Sequence, residues 1–392
     1  MEETRQVYLD YSATTPVKRE VLEAMLPYFT EFYGNPSSLY SIGQKSKDAI
    51  NTARAQVAAL IGAREDEIFF TGSGTETDNW AIIGAMFWKR NKCRHIIISN
   101  VEHHAILRSG EYIEKEGFDV TYLPVDSQGF VQPEALKKAL RDDTALVSVM
   151  FANNEIGTIQ PIKELAKAAH ERGALFHTDA VQALGNVPID VKKLGVDLMS
   201  MSAHKIYGPK GVGALFVKKG VNLPAYMQGG AQEKGKRAGT ENVPGIVGFG
   251  KAAELAGQNL GAHIEELKGL RDYFLERVLN EIPDVDVNGS MESRLPGNLN
   301  ISFKYIEGEA LLLLLDLAGV SVSTGSACSS ASLAPSHVLD ALGLSVTDSY
   351  SSIRFTFGDF TTREDLDYAI EKLKTAAAKL REISMFSKNN EY

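Results

Sequence analysis

A lysine, an aspartate, two histidines and a cysteine stand where their types and neighbours allow chemistry. Lys205 follows an alternating run, Val196 to Ser202, that predicts a buried strand, and precedes a turn built from Gly208, Pro209 and Gly211. At the end of such a strand an amine is partly desolvated, which lowers its pKa. An amine of that kind attacks aldehydes and forms a Schiff base. The alternative is a solvated surface lysine, so the other residues decide whether an aldehyde has a place to sit.

Asp179 closes an apolar strand, where a carboxylate needs a partner. A buried cationic ring nitrogen would serve, and so would capping of the next turn. His103 suits stacking on a ring or moving protons near neutral pH, or else it caps a helix. His104 beside it points elsewhere and receives no role. Gly72-Ser73-Gly74-Thr75 precedes a helix, whose free N–H groups suit a phosphate. The same stretch also reads as a glycine turn with Thr75 as the cap. It is neither a Walker loop nor the dinucleotide fingerprint, because Thr77 stands where the last glycine would be, which counts against a nicotinamide-dependent dehydrogenase. Cys328 sits among small residues, Ser323 to Ser332, as a reactive exposed thiol would. Cys93, between Lys92 and Arg94, reads as incidental. Arg354, on a late strand, suits a bidentate clamp on a carboxylate or an ordinary surface ion pair.

The elements that must position these residues follow a rhythm. Strands are expected at 67–70, 95–99, 120–125, 145–151, 174–177, 198–201 and 213–217, with helices between most of them. That alternation predicts an α/β fold with a largely parallel sheet covered by helices on both faces. In such a sheet ligands bind beyond the C-terminal strand ends. Gly74, Thr75, His103, Asn154, Asp179, Gln182, Ser202, His204 and Lys205 all fall at that edge. After about Gly229 the pattern changes. A glycine-rich loop, 229–240, leads to one long helical pattern, Val247 to Ile282, and then to an α+β segment. The expected organisation is an N-terminal segment (1–15) packing with the small domain, a large domain (16–257) and a small C-terminal domain (258–392) with a mobile cysteine loop at about 321–334.

Composition excludes several classes. The 392 residues are 44% hydrophobic, enough for a sizeable core, and the net charge of -9 argues against nucleic-acid or acidic-membrane binding. The apolar run Leu311 to Leu315 is far short of a membrane span, and Met1 to Gln6 carries no apolar signal region. Two cysteines cannot build a disulfide framework, so a reducing cytoplasm is expected.

With these residues assembled, the sequence resembles the cysteine desulfurases, NifS/IscS-like members of the class V aminotransferase-like group of pyridoxal phosphate enzymes. The likeness runs over essentially the whole chain. It rests on Tyr8 to Pro16, Gly34 to Ser38, Asn153 to Gly157, Ser202 to Gly211, Arg237 to Asn242 and the cysteine segment Ser323 to Cys328. Ala231 replaces a common glycine before Gln232.

The resemblance implies fold type I with a mostly parallel mixed sheet and a smaller α+β domain. It implies pyridoxal 5′-phosphate held by Gly74, Thr75, Ser202 and His204 at the phosphate. Asp179 would meet the ring nitrogen, Gln182 the ring hydroxyl, His103 the ring face and Asn154 its substrate side. Lys205 would be the covalent attachment, and Thr240 would reach the phosphate of a neighbouring subunit in a homodimer. Arg354 and Asn154 would fix the carboxylate of L-cysteine. Cys328 would accept its sulfur and pass it to an iron–sulfur scaffold or a thiolation relay protein. No metal is required, although Cys328 could ligate an iron–sulfur cluster transiently through its persulfide. Members serving the general scaffold often extend further at the C-terminus than Tyr392 does here, so the acceptor stays open. Neighbouring alternatives are a selenocysteine lyase or another class V aminotransferase or lyase; a non-catalytic sulfur carrier would leave Lys205 and Asp179 without a purpose.

Overall fold

The computed structural model describes residues 5–324 and 335–384. Strand β1 (Val7–Tyr8) comes first. It is followed by β2 (Ile68–Thr71), β3 (His95–Ser99), β4 (Asp119–Leu123), β5 (Thr144–Ser148), β6 (Leu175–Asp179), β7 (Leu198–Ser202) and β8 (Gly213–Val217). Strands β2 to β8 form one seven-stranded sheet in the order β2-β8-β7-β6-β5-β3-β4. All pairs from β7 to β4 are parallel, while β8 runs antiparallel to both β7 and β2. The sheet is therefore mixed and mostly parallel, as expected.

Strands β3, β5, β7 and β8 are buried along their whole length. A sheet covered by helices on both faces requires apolar residues at successive positions, and Ile96-Ile97-Ile98 supplies them. One face packs a core around Val57, Phe176, Met199 and Phe249. The other packs Trp80, Met86, Ile98 and Leu215.

Gly213 ties this sheet to the chemistry. It pairs with Ser202 on one side and Thr71 on the other. A Cβ there would lie 2.7 Å from the Ser73 carbonyl carbon and 2.9 Å from the Met201 oxygen. Only glycine lets the turn after β2 and the end of β7 come this close.

A second core gathers Val7, Leu9, Phe274, Leu299, Ile301, Phe355 and Leu373. Its sheet is antiparallel, β10 (Asn298–Phe303) lying between β9 (Val285–Val287) and β12 (Ser352–Thr356). Strand β1 pairs in parallel with β11 (Val320–Ser321), so the start of the chain belongs with this core.

The long helical pattern is a correction. Two helices, Val243–Gln258 and Leu260–Glu281, meet at Asn259, whose ψ of 16° breaks the ladder. Gly257, Asn259 and Gly261 are poor helix formers in succession, and their small or polar side chains hide the break within a 3.6-residue period. The first helix packs on Ser41–Leu60, with Gly250 against Ala53, and the second buries Leu267, Leu270, Phe274 and Val278 in the second core. Among the described residues no helix is long and apolar enough to cross a membrane.

Candidate active site

Lys205 ends a short 3-10 turn, Ala203–Lys205, directly after β7. Its Nζ donates to the carbonyl of Ser12 and, at 2.8 Å, to that of Ala13. The Ser12 carbonyl also accepts from Gln182 Nε2 at 2.9 Å. The half-buried amine is thus held by the polar turn after β1, in a cleft of about 560 Å³ lined by Gln182, Tyr207, His263, Asn298 and Asp359. That cleft does not include Thr75, His103 or Asp179. The tie to His103 and Asp179 is electrostatic: the Lys205 charge acts on both.

Asp179 is buried at the C-terminal end of β6, and its Oδ1 accepts from Val181 N–H at 2.9 Å. Burial pushes its pKa up to about 6, against the opposing pull of that N–H and of Lys205. A carboxyl held this way gains from a cation more than a solvated one does. The capping bond engages only Oδ1, so capping does not by itself rule out a cationic partner at the other oxygen.

His103 takes the capping role that was its alternative. Its Nδ1 accepts from Ala105 N–H at 3.1 Å at the head of the helix His104–Lys115. With Nδ1 an acceptor, the ring proton sits on Nε2. Burial, and then the Lys205 charge, push its pKa down to about 4, so the ring is neutral at neutral pH. His204, pushed down to about 4 chiefly by burial, meets Thr14 Oγ1 through Nδ1 at 3.2 Å. His104 stacks on His337, ring centroids 4.9 Å apart.

Thr75 is not the cap of its helix. Ser73 caps Gly74–Lys89, its Oγ accepting from Glu76 N–H at 3.1 Å, which leaves Thr75 exposed in the first turn. A Cβ on Gly74 would stand 3.0 Å from Val181 and 3.5 Å from Ser202. The turn after β2, Ser202 and the loop after Asp179 therefore converge.

Arg354 is a buried residue, which excludes the surface ion pair. Its Nη2 bonds Asp10 Oδ1 at 2.8 Å, its Nη1 bonds the Asn154 carbonyl at 3.0 Å, and Nε has no partner among the described residues. It joins the N-terminal segment, the loop after β5 and β12. Thr240 is exposed and lines a separate cavity with Gly72, Gly211 and Arg237, away from the cleft of Lys205. Cys328 lies outside the described residues. The chain before it is fixed through Ser323, whose carbonyl accepts from Arg354 N–H at 2.6 Å, and the chain after it through Ser336, whose Oγ donates to Glu155 at 2.5 Å. Sequence reasoning missed Asp78, Glu102 and His177, all buried within this layer. Only His177 carries a signal, as a polar residue after the apolar run Ala174-Leu175-Phe176; Asp78 and Glu102 sit among other polar residues and carry none.

The class V aminotransferase family model matches residues 7–369. The chain belongs to the class V aminotransferase family, on its cysteine desulfurase branch. It is 56% identical over 382 residues to the cysteine desulfurase IscS of Dictyoglomus turgidum, covering 97% of each chain. It is 55% identical to the IscS of Methanosarcina thermophila, covering 97% of this chain and 94% of that one. A solved NifS-like protein superimposes with a TM-score of 0.91 at 38% identity, over 96% of this chain and all of that one. Desulfurase chemistry is the activity that these relatives establish for the branch, and the mixed, mostly parallel sheet is its fold.

Proposed function

We propose that the chain uses pyridoxal 5′-phosphate to take sulfur from L-cysteine, releasing L-alanine and leaving a persulfide on Cys328. What supports this most is placement on one sheet: Asp179 ends β6, Lys205 follows the adjacent β7, and His103 heads the helix after β3. The residues fit the cofactor. Asp179 is a buried acid suited to a cationic ring nitrogen. His103 is a neutral ring with its proton on Nε2. Gly74 presses against Ser202 at a helix N-terminus, where a phosphate is favoured. Once bound, the group supplies an aldehyde and an electron-withdrawing ring that acidify the substrate Cα–H.

In this reading the Lys205 amine takes the Cα proton and His103 carries protons nearby. Arg354 and Asn154 orient the substrate carboxylate, Arg354 keeping N–H donors beyond its bonds to Asp10 and Asn154. Gln182 meets the ring hydroxyl, and Thr75, Ser202 and His204 meet the phosphate. The Cys328 thiolate forms a bond to the substrate sulfur as the C–S bond breaks, and its electron pair stays with the carbon skeleton, which is protonated to alanine. The small domain, from about residue 258, carries this thiol. Thr240 reaches a second copy of the chain in a homodimer. The sulfur acceptor is an iron–sulfur scaffold or a thiolation relay protein, in the cytoplasm.

The test is alanine release from L-cysteine together with mass-spectrometric detection of persulfide. Cys328→Ala is expected to keep the coloured cofactor and make no alanine, and Lys205→Ala to lose the borohydride-reducible link to the protein. Turnover by the Cys328 variant, or reduction into the Lys205 variant, overturns the assignment.

A further inference from the structure

Behind Asp179 lies a layer of polar groups that the proposed reaction does not use. Asp78 on the helix Gly74–Lys89 is 2% exposed, and its Oδ1 has no hydrogen-bond partner among the described residues. Glu102, wholly buried, accepts at Oε1 from Ser99 Oγ and Met150 N–H, each at 2.6 Å, and its Oε2 has no partner. His177, wholly buried on β6, has Nδ1 2.8 Å from Ser148 Oγ and Nε2 2.9 Å from Ser200 Oγ. Asp78 Oδ1 is 3.9 Å from that Nε2. Ser200 is the register partner of Asp179 across β6 and β7, and its hydroxyl also neighbours the Asp78 carboxyl.

Proton counting decides the state of this chain of groups. Ser200 has one hydroxyl hydrogen. If it goes to an Asp78 carboxylate, His177 must donate from Nε2, Ser148 must donate to Nδ1, and two anions, Asp78 and Asp179, sit in one buried layer. If Asp78 carries a proton, it can donate to Ser200, Ser200 donates to Nε2, and His177 gives its Nδ1 proton to Ser148. The second arrangement removes a charge from a site where one carboxyl oxygen already has no partner, and buried unpaired charge is the costlier state. The charged group facing Asp78 agrees: an ionised Asp179 opposes its ionisation, Glu102 adds to that only where it too has lost its proton, and the Lys205 charge acts on Asp179 instead.

We infer that Asp78 is a positioning residue that stays protonated behind Asp179, fixes His177 as the Nδ1–H tautomer, and leaves Asp179 as the ionised acid for a ring nitrogen. Its use in the reaction rests on the cofactor reading above, but its protonation does not. Infrared spectra of cofactor-free Glu102→Gln/Glu155→Gln protein at about pH 8 should contain a protonated-carboxyl C=O band that shifts in D2O and is missing once Asp78→Asn is added. An unchanged band in that variant overturns the inference. Should Asp78→Asn not fold, Glu102→Gln/Glu155→Gln protein keeps Asp78 and must retain such a band; its absence overturns the inference equally. Nitrogen NMR should show His177 protonated at Nδ1, and an Nε2–H tautomer refutes the arrangement. On adding cofactor, Asp78→Asn, which mimics the neutral acid, should bind within about twofold of the native chain, whereas Asp179→Asn should bind roughly tenfold or more weakly. Weakened binding in Asp78→Asn means an ionised Asp78 and overturns the inference. Native-like binding in Asp179→Asn refutes the cofactor reading alone and leaves the infrared and NMR results to stand.

Discussion

Lys205 carries its charge among groups that the sequence scatters, and their titration should report its presence. Lysine opposes protonation of His103 and favours ionisation of Asp179, so it holds both pKa values down. In cofactor-free Lys205→Met, His103 should titrate above its value of about 4 and Asp179 above about 6, as NMR titrations would show. No movement of either would place the amine out of their reach. Glu102 makes a separate prediction. Burial raises it from an ordinary 4.5 to about 8. The unfolded carboxyl loses its proton near the ordinary value, whereas the folded one keeps it to about 8. Rising pH through that window therefore destabilises the fold, a loss on the order of 4 kcal/mol for this group. Glu102→Gln should show a smaller fall in urea-unfolding free energy between about pH 5 and pH 8 than the native chain. An equal slope in both would mean that Glu102 is ionised when folded. Lys205, Asp179 and His103 were legible in the sequence because each sits at a strand end beside a glycine or a polar turn. Asp78 and His177 were not, because a polar residue inside a helix or strand gives no sign of which buried neighbours it meets.

At the scale of elements, the site depends on how closely two backbone segments approach. Strand β8 runs against its neighbours, so its first residue, Gly213, lies between the end of β7 and the turn after β2. Gly213→Ala would push Ser73 or Met201 away and separate the turn at Gly74 from Ser202. Overpacking of this kind costs about 1–3 kcal/mol. The expected result is a matching loss in unfolding free energy and weaker cofactor binding; a variant with native stability and affinity would show that the backbone gives way freely there. The strands of the large sheet were readable from their apolar runs. The break at Asn259 was hidden because apolar spacing continues through it. Pairing of β1 with β11 was hidden because two-residue strands have no period to detect.

At the scale of the whole molecule, the sequence shows two pattern regimes, and the structure packs the large sheet and the small sheet on separate cores, with the chain's first strand joining the later one. Apolar side chains also remain outside both. Leu22, Leu26, Phe29, Tyr33 and Tyr40 are exposed, and Leu39 is 95% exposed, all within one stretch of chain. Gly34 holds this stretch in place, since a Cβ there would lie 2.4 Å from the Ile42 carbonyl carbon. So many exposed apolar groups on an anchored segment are costly in water and favour burial against another surface. The exposed Thr240 asks for a second copy on separate grounds, since its proposed contact is with a neighbour's phosphate. One homodimer would meet both demands, and its test is the following variant. Phe29→Glu/Leu39→Glu, which places like charges into a self-complementary interface, should convert a dimer in sedimentation equilibrium at micromolar concentration to a monomer. That monomer should keep its far-ultraviolet circular dichroism and bind cofactor more weakly, because it loses the partner's Thr240. A native chain that sediments as a monomer, or a monomeric variant with undiminished cofactor affinity, would separate the apolar stretch from the site and leave Thr240 without the proposed role.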